Sequence, residues 1–478
     1  MSENKMATKP IKALIWTMGL PMVFSMVLQA LYNVVDTVFV INMGEAGIKA
    51  NLALTYVFPV QIFMIAVGVG TGIGINALLS RALGEGDKKK VGLTLGNGIF
   101  LWAVIYIVFL IFGLVASKWF LQIQTDDEEI ITMGADYLTI VTTLSVGAVG
   151  FNVYERFLQA TGKTAYSTIA QILGAATNIL LDYVFIYPLG MGVQGAAYAT
   201  VIGQCVSLVS AMFFHYLLNR EAKHGFKDIL PSGKTIGGIY KVGWSAMLMQ
   251  ALLSINMFVM IRVFALSGDA ELINGTYGIY YKIQQIALFS CFGLSNTIIS
   301  LLAFNVGMGD KNRIKSCIKW GIIDTIIVAG IVTVLFEALA NPIANLFGLT
   351  ATGENKEQIL SLCKMSIRFA STGYVFMAVS LAIQGILQAY RKSVSPLAIS
   401  LLRLLVFIVP FALVFVFYTD AKNTVWWAFP IAEFLTAICS VIILLMTKEI
   451  HALREKSTKE PASCTQNTAQ MLVSDIAE

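Results

Sequence analysis

Long apolar stretches fill the chain from end to end, and short polar stretches separate them. A membrane-spanning helix needs about 20 consecutive apolar residues, and twelve stretches reach roughly that length. The pattern therefore predicts an all-α membrane protein with twelve transmembrane helices. The predicted spans are residues 14–41, 51–79, 93–115, 131–153, 165–187, 195–218, 243–266, 276–304, 318–340, 361–387, 395–418 and 425–446.

The composition supports this prediction, because 57% of the residues are hydrophobic and only 13% are charged, against about a quarter in a soluble protein. The first span follows a polar leader, but its apolar run is too long for a secretory signal and no small-residue cleavage site ends it. We therefore expect it to be retained as a helix. The six cysteines have no paired spacing, so neither a disulfide framework nor a zinc site is expected.

The distribution of lysine and arginine predicts the orientation of the chain in the membrane. If the N-terminus is cytoplasmic, the outer loops hold only Lys49, Lys118, Lys356 and Lys422, and the other basic loop residues lie inside. We therefore expect a multi-pass protein of the plasma (inner) membrane with both termini in the cytoplasm. This asymmetry explains the net charge of +5, so a nucleic-acid partner is not expected.

Two pairs of similar sequences indicate an internal duplication. The sequence "GEGDK" at 84–88 resembles "GMGDK" at 307–311, and "LQATGK" at 158–163 resembles "LQAYRK" at 387–392. The two offsets, 223 and 229, are nearly equal, so the chain is predicted to consist of two six-helix bundles that cross the membrane in the same sense. The predicted segments are a cytoplasmic leader (1–13), an N-lobe (14–218), a cytoplasmic connector (219–242), a C-lobe (243–446) and a disordered cytoplasmic tail (447–478).

Several motifs resemble catalytic signatures but lack their context. "TGKT" at 161–164 and "SGKT" at 232–235 have Phe157 and Asp228 where a phosphate-binding loop needs glycine, so ATP is not expected as a substrate. The GxGD aspartates of an intramembrane protease would lie within the membrane and share a proton. Here Asp87 and Asp310 precede lysines in predicted cytoplasmic loops, which makes a protease the weaker alternative.

Two predicted spans carry an aspartate together with an asparagine on the same helical face. "LYNVVDTVFV" at 31–40 contains Asn33 and Asp36, and "TNILLDYVFI" at 177–186 contains Asn178 and Asp182. Both spans run outward and both aspartates come late in them, so they lie at a similar depth. A buried carboxylate is costly in the membrane and is a functional candidate by default. The four side chains therefore predict an oxygen-rich site for H⁺ or Na⁺.

The second half of the chain does not repeat this site, because Asp36 corresponds to Met260 and Asp182 to Phe411. It carries an unusually cationic set of intramembrane residues instead, and some of these are expected to line a C-lobe cavity. The set is Arg262, Lys282, Lys364, Arg368, Arg403 and the acid Glu433, of which Arg262, Lys282 and Glu433 are the cavity candidates.

Over nearly its whole length, excluding the tail, the chain resembles the multidrug and toxic compound extrusion (MATE) transporters, and within them the bacterial multidrug export branch. The matching motifs are "GLP" at 19–21 followed by Asp36, "SRALGEGD" at 80–87, "LQATGKT" at 158–164, "NILLD" at 178–182 and "QGAAYAT" at 194–200.

This resemblance implies roles for particular residues. The cation or proton site of the family's N-lobe matches Asp36, Asn178, Asp182 and Thr200 here. The resemblance implies that Tyr137 and Asn152 are further members of the pocket, in addition to Asn33. Pro21 matches a proline at which the first helix of the family is proposed to bend. The family's C-lobe acid pair is not matched, since the seventh span offers only Arg262.

The function expected from the residues and the resemblance is cation-coupled antiport. A carrier without enzymatic activity or cofactor would export lipophilic, often cationic compounds by alternating access, driven by H⁺ or Na⁺, as a monomer among membrane lipids. The alternatives are a flippase of lipid-linked glycan precursors, which would suit the cationic second half, and the intramembrane aspartyl protease.

Overall fold

The computed structural model describes the backbone of residues 4–41, 45–347, 356–451 and 453. It describes the side chains of residues 4–29, 50, 53–270, 272–345, 357–451 and 453. Within these residues the chain is helical and contains no β-strand. Ten helices of the described part are long and apolar enough to cross a membrane, and two bent pairs of helices bring the number of spans to as many as twelve. The predicted all-α membrane fold is confirmed.

We number the spans α1 to α12 in chain order. They are α1 (Ile11–Ile41), α2 (Glu45–Glu85), α3 (Lys88–Gln122), α4a (Glu128–Thr143), α4b (Val146–Ala160), α5 (Thr164–Ile186), α6 (Gly192–Leu218), α7 (Gly233–Phe264), α8 (Ala270–Met308), α9 (Lys311–Ala338), α10a (Lys356–Ser371), α10b (Tyr374–Ala389), α11 (Val394–Tyr418) and α12 (Ala421–Leu445).

The fourth and tenth spans, each predicted as one helix, are pairs of shorter helices. The bend is 43° between α4a and α4b and 53° between α10a and α10b, so the duplication extends to this irregularity. A third irregularity is the π-helical turn Leu402–Phe407 within α11. At the break in the tenth span the helices pack closely, since a Cβ on Gly373 would lie 2.8 Å from Cα of Pro430 in α12.

The two lobes meet along α1, α2, α7 and α8: α1 packs on α8, and α2 packs on both α7 and α8. Backbones touch at this seam, since a Cβ on Gly70 would lie 2.7 Å from the carbonyl oxygen of Gly243. Small residues of this kind let membrane helices approach closely. The Ser300 hydroxyl also donates across the seam to Asn76 (3.0 Å). In the predicted orientation these contacts lie in the cytoplasmic half, so the lobes are closed on that side.

The leader is docked against both lobes. It forms a short helix, Lys5–Thr8, in which Met6 is fully buried. Met6 packs against Gly162 at the turn between α4b and α5, where a Cβ on Gly162 would lie 3.1 Å from it. Arg313, at the start of α9, donates from Nη2 to the carbonyl oxygens of Met6 (2.6 Å) and Lys9 (3.0 Å). The leader therefore spans one end of the seam.

Candidate functional site

A stripe of polar residues runs along the buried face of α5. Thr168, Gln171, Asn178 and Asp182 are all buried there, and Asn178 and Asp182 are one helical turn apart on the same face. Asp182 is 1% exposed and Asn178 is 4% exposed. Among the described residues, neither the nitrogen nor the oxygen of the Asn178 amide has a hydrogen-bond partner. A buried amide without hydrogen-bond partners costs about 1–3 kcal/mol of stability. Packing alone therefore does not explain why an asparagine occupies position 178.

Helix α6 brings Thr200 to the level of Asp182. The two helices are antiparallel neighbours, and a Cβ on Gly203 would lie 2.7 Å from Cβ of Asn178. Thr200 is one turn before Gly203 on α6, and Asp182 is one turn after Asn178 on α5. Because the helices are antiparallel, Thr200 and Asp182 are displaced in the same direction along the α5–α6 interface. Three of the residues expected in the cation site, Asn178, Asp182 and Thr200, therefore lie on one α5–α6 interface.

Helix α1 runs parallel to α5 and is joined to it by hydrogen bonds. The Thr168 hydroxyl donates to the carbonyl oxygen of Pro21 (2.8 Å), the Ser25 hydroxyl donates to Gln171, and Gln171 donates to Gln29 (3.4 Å). The first two partners are 147 and 146 positions apart, which fixes the register of the two helices.

Two residues of the expected site, Asn33 and Asp36, lie outside the residues whose side chains are described. The backbone of α1 is helical through both of them and through Pro21. Proline lacks the N–H that would continue the helical ladder. Pro21 is therefore a weak point of α1, and its carbonyl oxygen is bonded to α5 through Thr168.

The two further pocket candidates of α4 lie against α2. Tyr137 is buried and accepts a hydrogen bond from Gln61 (3.1 Å). It shares a hydrophobic cluster with Ile186, one turn beyond Asp182 on α5. Asn152 donates to the carbonyl oxygen of Ala148 on its own helix (2.9 Å). Tyr137 thus lies nearer than Asn152 to the Asp182 end of the polar stripe.

The C-lobe contains a buried ion pair that the sequence did not assign. Arg403 of α11 donates from Nε to Oε1 of Glu433 on α12 at 2.7 Å, and each residue is 6% exposed. The pair lines a cavity of about 20 Å³. The cavity candidate Glu433 therefore lies in a cavity, with Arg403 as its partner.

The other two C-lobe candidates are placed differently. Lys282 is half-buried on α8, next to a lining residue of the cavity, Tyr281. Arg262 is exposed and lies over the ring of Phe258 at 5.4 Å from its centroid, so it does not line this cavity. No group of three or more His, Cys, Asp or Glu side chains with metal-ligand geometry occurs in the described part of the chain.

Sequence reasoning did not single out Ser25, Gln29 and Gln171, which tie α1 to α5. One available signal was the spacing of Gln171, Asn178 and Asp182 at seven and four residues, which places three polar side chains on one face of an otherwise apolar helix.

A model of the MatE family matches residues 21–184 and 245–414, one segment in each lobe. The chain is 23% identical over 448 residues to the multidrug export protein MepA of Staphylococcus saprophyticus, covering 93% of this chain and 94% of that protein. It is 24% identical to the protein of the same name from Staphylococcus haemolyticus, covering 93% and 94%.

Solved structures share the fold. One, described as the outward-facing conformation of a multidrug resistance MATE family transporter, superposes with a TM-score of 0.88 at 23% identity, covering 95% of this chain and 99% of that one. A MATE structure in the bent conformation gives 0.84 at 23% identity, covering 96% and 99%. With both lobes matched, the chain belongs to the MatE family and is a membrane transporter, not an enzyme.

Proposed function

We propose that this transporter is a cation-coupled antiporter that exports lipophilic, often cationic compounds across the plasma membrane. The observation that carries the proposal is the α5 pair: a buried Asn178 whose amide has no partner among the described residues, one turn from a buried Asp182. Oxygen ligands of this kind suit H⁺ or Na⁺. The name multidrug export protein, borne by relatives that match over most of the chain, supports the direction and the class of solute.

The register of α1 and α5 supports a shared site for the two aspartates. Ser25 and Gln171 are 146 positions apart, and Asp36 and Asp182 have the same separation. Both helices rise about 1.5 Å per residue, so the same register, if continued along α1, supports a position of Asp36 level with Asp182. The proposed cluster is Asp36, Asn178, Asp182 and Thr200, with Asn33 and Tyr137 at its margin.

Binding of the cation would change how α1 packs. Two carboxylates at one level repel each other, and one bound H⁺ or Na⁺ removes most of that repulsion. Since Pro21 lacks an N–H, α1 can bend there at little cost in hydrogen bonds. Repacking of α1 would then release the solute outside, and entry of the cation gains roughly 2.3 kcal/mol per charge per 100 mV of inward potential.

The remaining features of the proposal follow from the same picture. Both termini are cytoplasmic, so that the side closed by Gly70, Gly243 and the docked leader faces the cytoplasm. The carrier works as a monomer among membrane lipids, and the gradient of H⁺ or Na⁺ replaces a nucleotide or cofactor.

The test is efflux of a fluorescent cationic dye from energised cells that express the wild type, Asp36→Asn or Asp182→Asn. We expect both variants to lose efflux while they remain in the membrane. When the proton and sodium gradients are collapsed separately, we expect only one of the two treatments to abolish wild-type efflux, and that gradient identifies the coupling ion. The matched control is Asp136→Asn, because Asp136 is a half-buried acid in the middle of α4a that accepts a hydrogen bond from Gln194 (2.8 Å).

Efflux that persists in Asp36→Asn and Asp182→Asn would contradict the cation site. A wild type that exports no dye under any gradient would contradict drug export and favour the flippase of lipid-linked glycan precursors.

A further inference from the structure

A second polar pocket lies within the C-lobe, between α7, α8, α11 and α12. Arg403 and Glu433 line it, together with polar side chains from α7 and α8. Arg403 belongs to the π-helical turn Leu402–Phe407, and the Asn256 amide donates to the Leu404 carbonyl oxygen of the same turn (2.5 Å). Such turns interrupt the α-helical ladder and are frequent at functional sites. The polar lining residues from α7 and α8 are Asn256, Tyr281, Gln284 and Gln285.

The hydrogen bonds of the ion pair are incomplete. A guanidinium group has five N–H donors, and Glu433 takes only the one on Nε of Arg403. No described residue accepts a hydrogen bond from the Nη atoms of Arg403. On the other side, Oε2 of Glu433 is buried without a partner among the described residues. The free end of the guanidinium is therefore available to an acceptor.

The charges around the pocket are also unbalanced. Arg403 and Glu433 neutralise each other, but Lys282 is half-buried on α8 without an acidic partner in the described part of the chain. It directly follows Tyr281, a lining residue, but its own side chain does not line the cavity. An unpaired cation inside the membrane is costly, so an anionic group is the ligand that would complete the site.

The size of the cavity limits how such a ligand can enter. Its volume of about 20 Å³ exceeds only slightly the space that one water molecule needs. A single acceptor oxygen fits, while the rest of the ligand would remain outside the cavity.

We propose that the Arg403–Glu433 pocket is a subsite for a carboxylate oxygen of a transported solute. This inference rests on the proposed function only in that the ligand is a solute of the carrier. Glu433 holds the guanidinium by its Nε side, the Nη end receives the carboxylate through charge-assisted hydrogen bonds, and Lys282 balances the added charge. The preferred solutes would then carry a carboxylate in addition to a lipophilic or cationic part.

The test compares two rhodamine dyes that differ in one group, a free carboxylate in one and its methyl ester in the other. Binding to purified full-length protein in lipid nanodiscs is measured by fluorescence polarisation. We expect the wild type to bind the acid about tenfold more tightly than the ester, the gain of a hydrogen bond to a charged group. The double variant Arg403→Gln/Glu433→Gln should bind the two dyes equally, with the affinity for the ester unchanged.

Two further variants make the result decisive. Arg262→Gln is the matched control, since Arg262 is an exposed cation of the same lobe, and it should keep the tenfold preference. Arg403→Lys keeps the charge but not the forked donors, and it should reduce the preference severalfold even if the double variant fails to fold. A wild type without preference for the acid, or a double variant that retains it, would overturn the inference. The measurement needs no ion gradient, so its failure is distinct from a failure of cation-coupled export.

Discussion

In the N-lobe, α5 and α6 touch through their backbones, whereas in the C-lobe an ion pair separates the corresponding helices, α11 and α12. At the offset of 229 set by "LQATGK" and "LQAYRK", Gly174 corresponds to Arg403 and Gln204 to Glu433. A Cβ on Gly174 would lie 2.5 Å from the carbonyl oxygen of Gly203 and still closer to the Ser207 hydroxyl. At the equivalent place in the C-lobe, the side chains of Arg403 and Glu433 meet at 2.7 Å.

Under the proposed function, this difference suits the two lobes to different ligands. Close approach of α5 and α6 puts Asn178, Asp182 and Thr200 on one interface that contains acid and amide oxygens but no built-in cation. In the C-lobe, the guanidinium group of Arg403 already neutralises Glu433. Glu433 therefore does not need a bound H⁺ or Na⁺ to balance its charge. We infer that the duplication diverged into an acidic lobe that binds a cation and a cationic lobe that binds an acceptor.

Breaking the C-lobe pair on one side should have the largest effect on stability. Arg403→Gln leaves Glu433 buried without a cation, and we expect a loss of about 3–5 kcal/mol. The double variant Arg403→Gln/Glu433→Gln should recover most of that loss, because no uncompensated charge remains in the core. Thermal unfolding of the purified protein measures both. A single variant as stable as the wild type would mean that the pair does not hold α11 and α12 in place.

Opening the N-lobe contact should have the next largest effect. Gly174→Ala forces a methyl group into the space between α5 and α6, and we expect a loss of about 1–3 kcal/mol together with reduced dye efflux. Gly330→Ala is the matched control, since Gly330 lies within α9 and a Cβ there would meet nothing within 4 Å. This control should be neutral or stabilising by up to about 1 kcal/mol. Equal melting temperatures for Gly174→Ala and the wild type would contradict the backbone contact.

Much of this architecture could be predicted from the sequence. Apolar runs of membrane-spanning length gave the spans, because a lipid environment requires every spanning segment to satisfy its own backbone hydrogen bonds. The repeated "GEGDK" and "GMGDK" gave the two halves. Asn178 and Asp182 could be picked out because polar side chains are rare and costly in such segments.

The remaining features depend on contacts that the sequence does not display. Hydropathy is continuous across the bends at Ser145 and Gly373, so one span was predicted where the structure has two helices. Helices that are apolar all round have no periodicity that marks a buried face, so the exposed position of Arg262 could not be distinguished from the buried one of Arg403. The pairing of Arg403 with Glu433 depends on the register between α11 and α12.

Replacing the unpartnered amide of the N-lobe should have the smallest effect on stability, with the opposite sign. Asn178→Leu keeps the number and branching of the side-chain heavy atoms and removes a buried polar group that has no partner among the described residues, so we expect a gain of about 1 kcal/mol but a loss of dye efflux. Asn97→Leu is the contrasting control, because the Asn97 amide accepts a hydrogen bond from Ser232 (2.8 Å) and donates to the Asp228 carbonyl oxygen (3.1 Å). That variant should be destabilised. If Asn178→Leu is stabilised yet exports dye normally, the amide is not a cation ligand and the carboxylates alone carry the coupling. If Asn178→Leu is destabilised, the Asn178 amide stabilises the folded N-lobe, and it no longer distinguishes the acidic lobe from the cationic one.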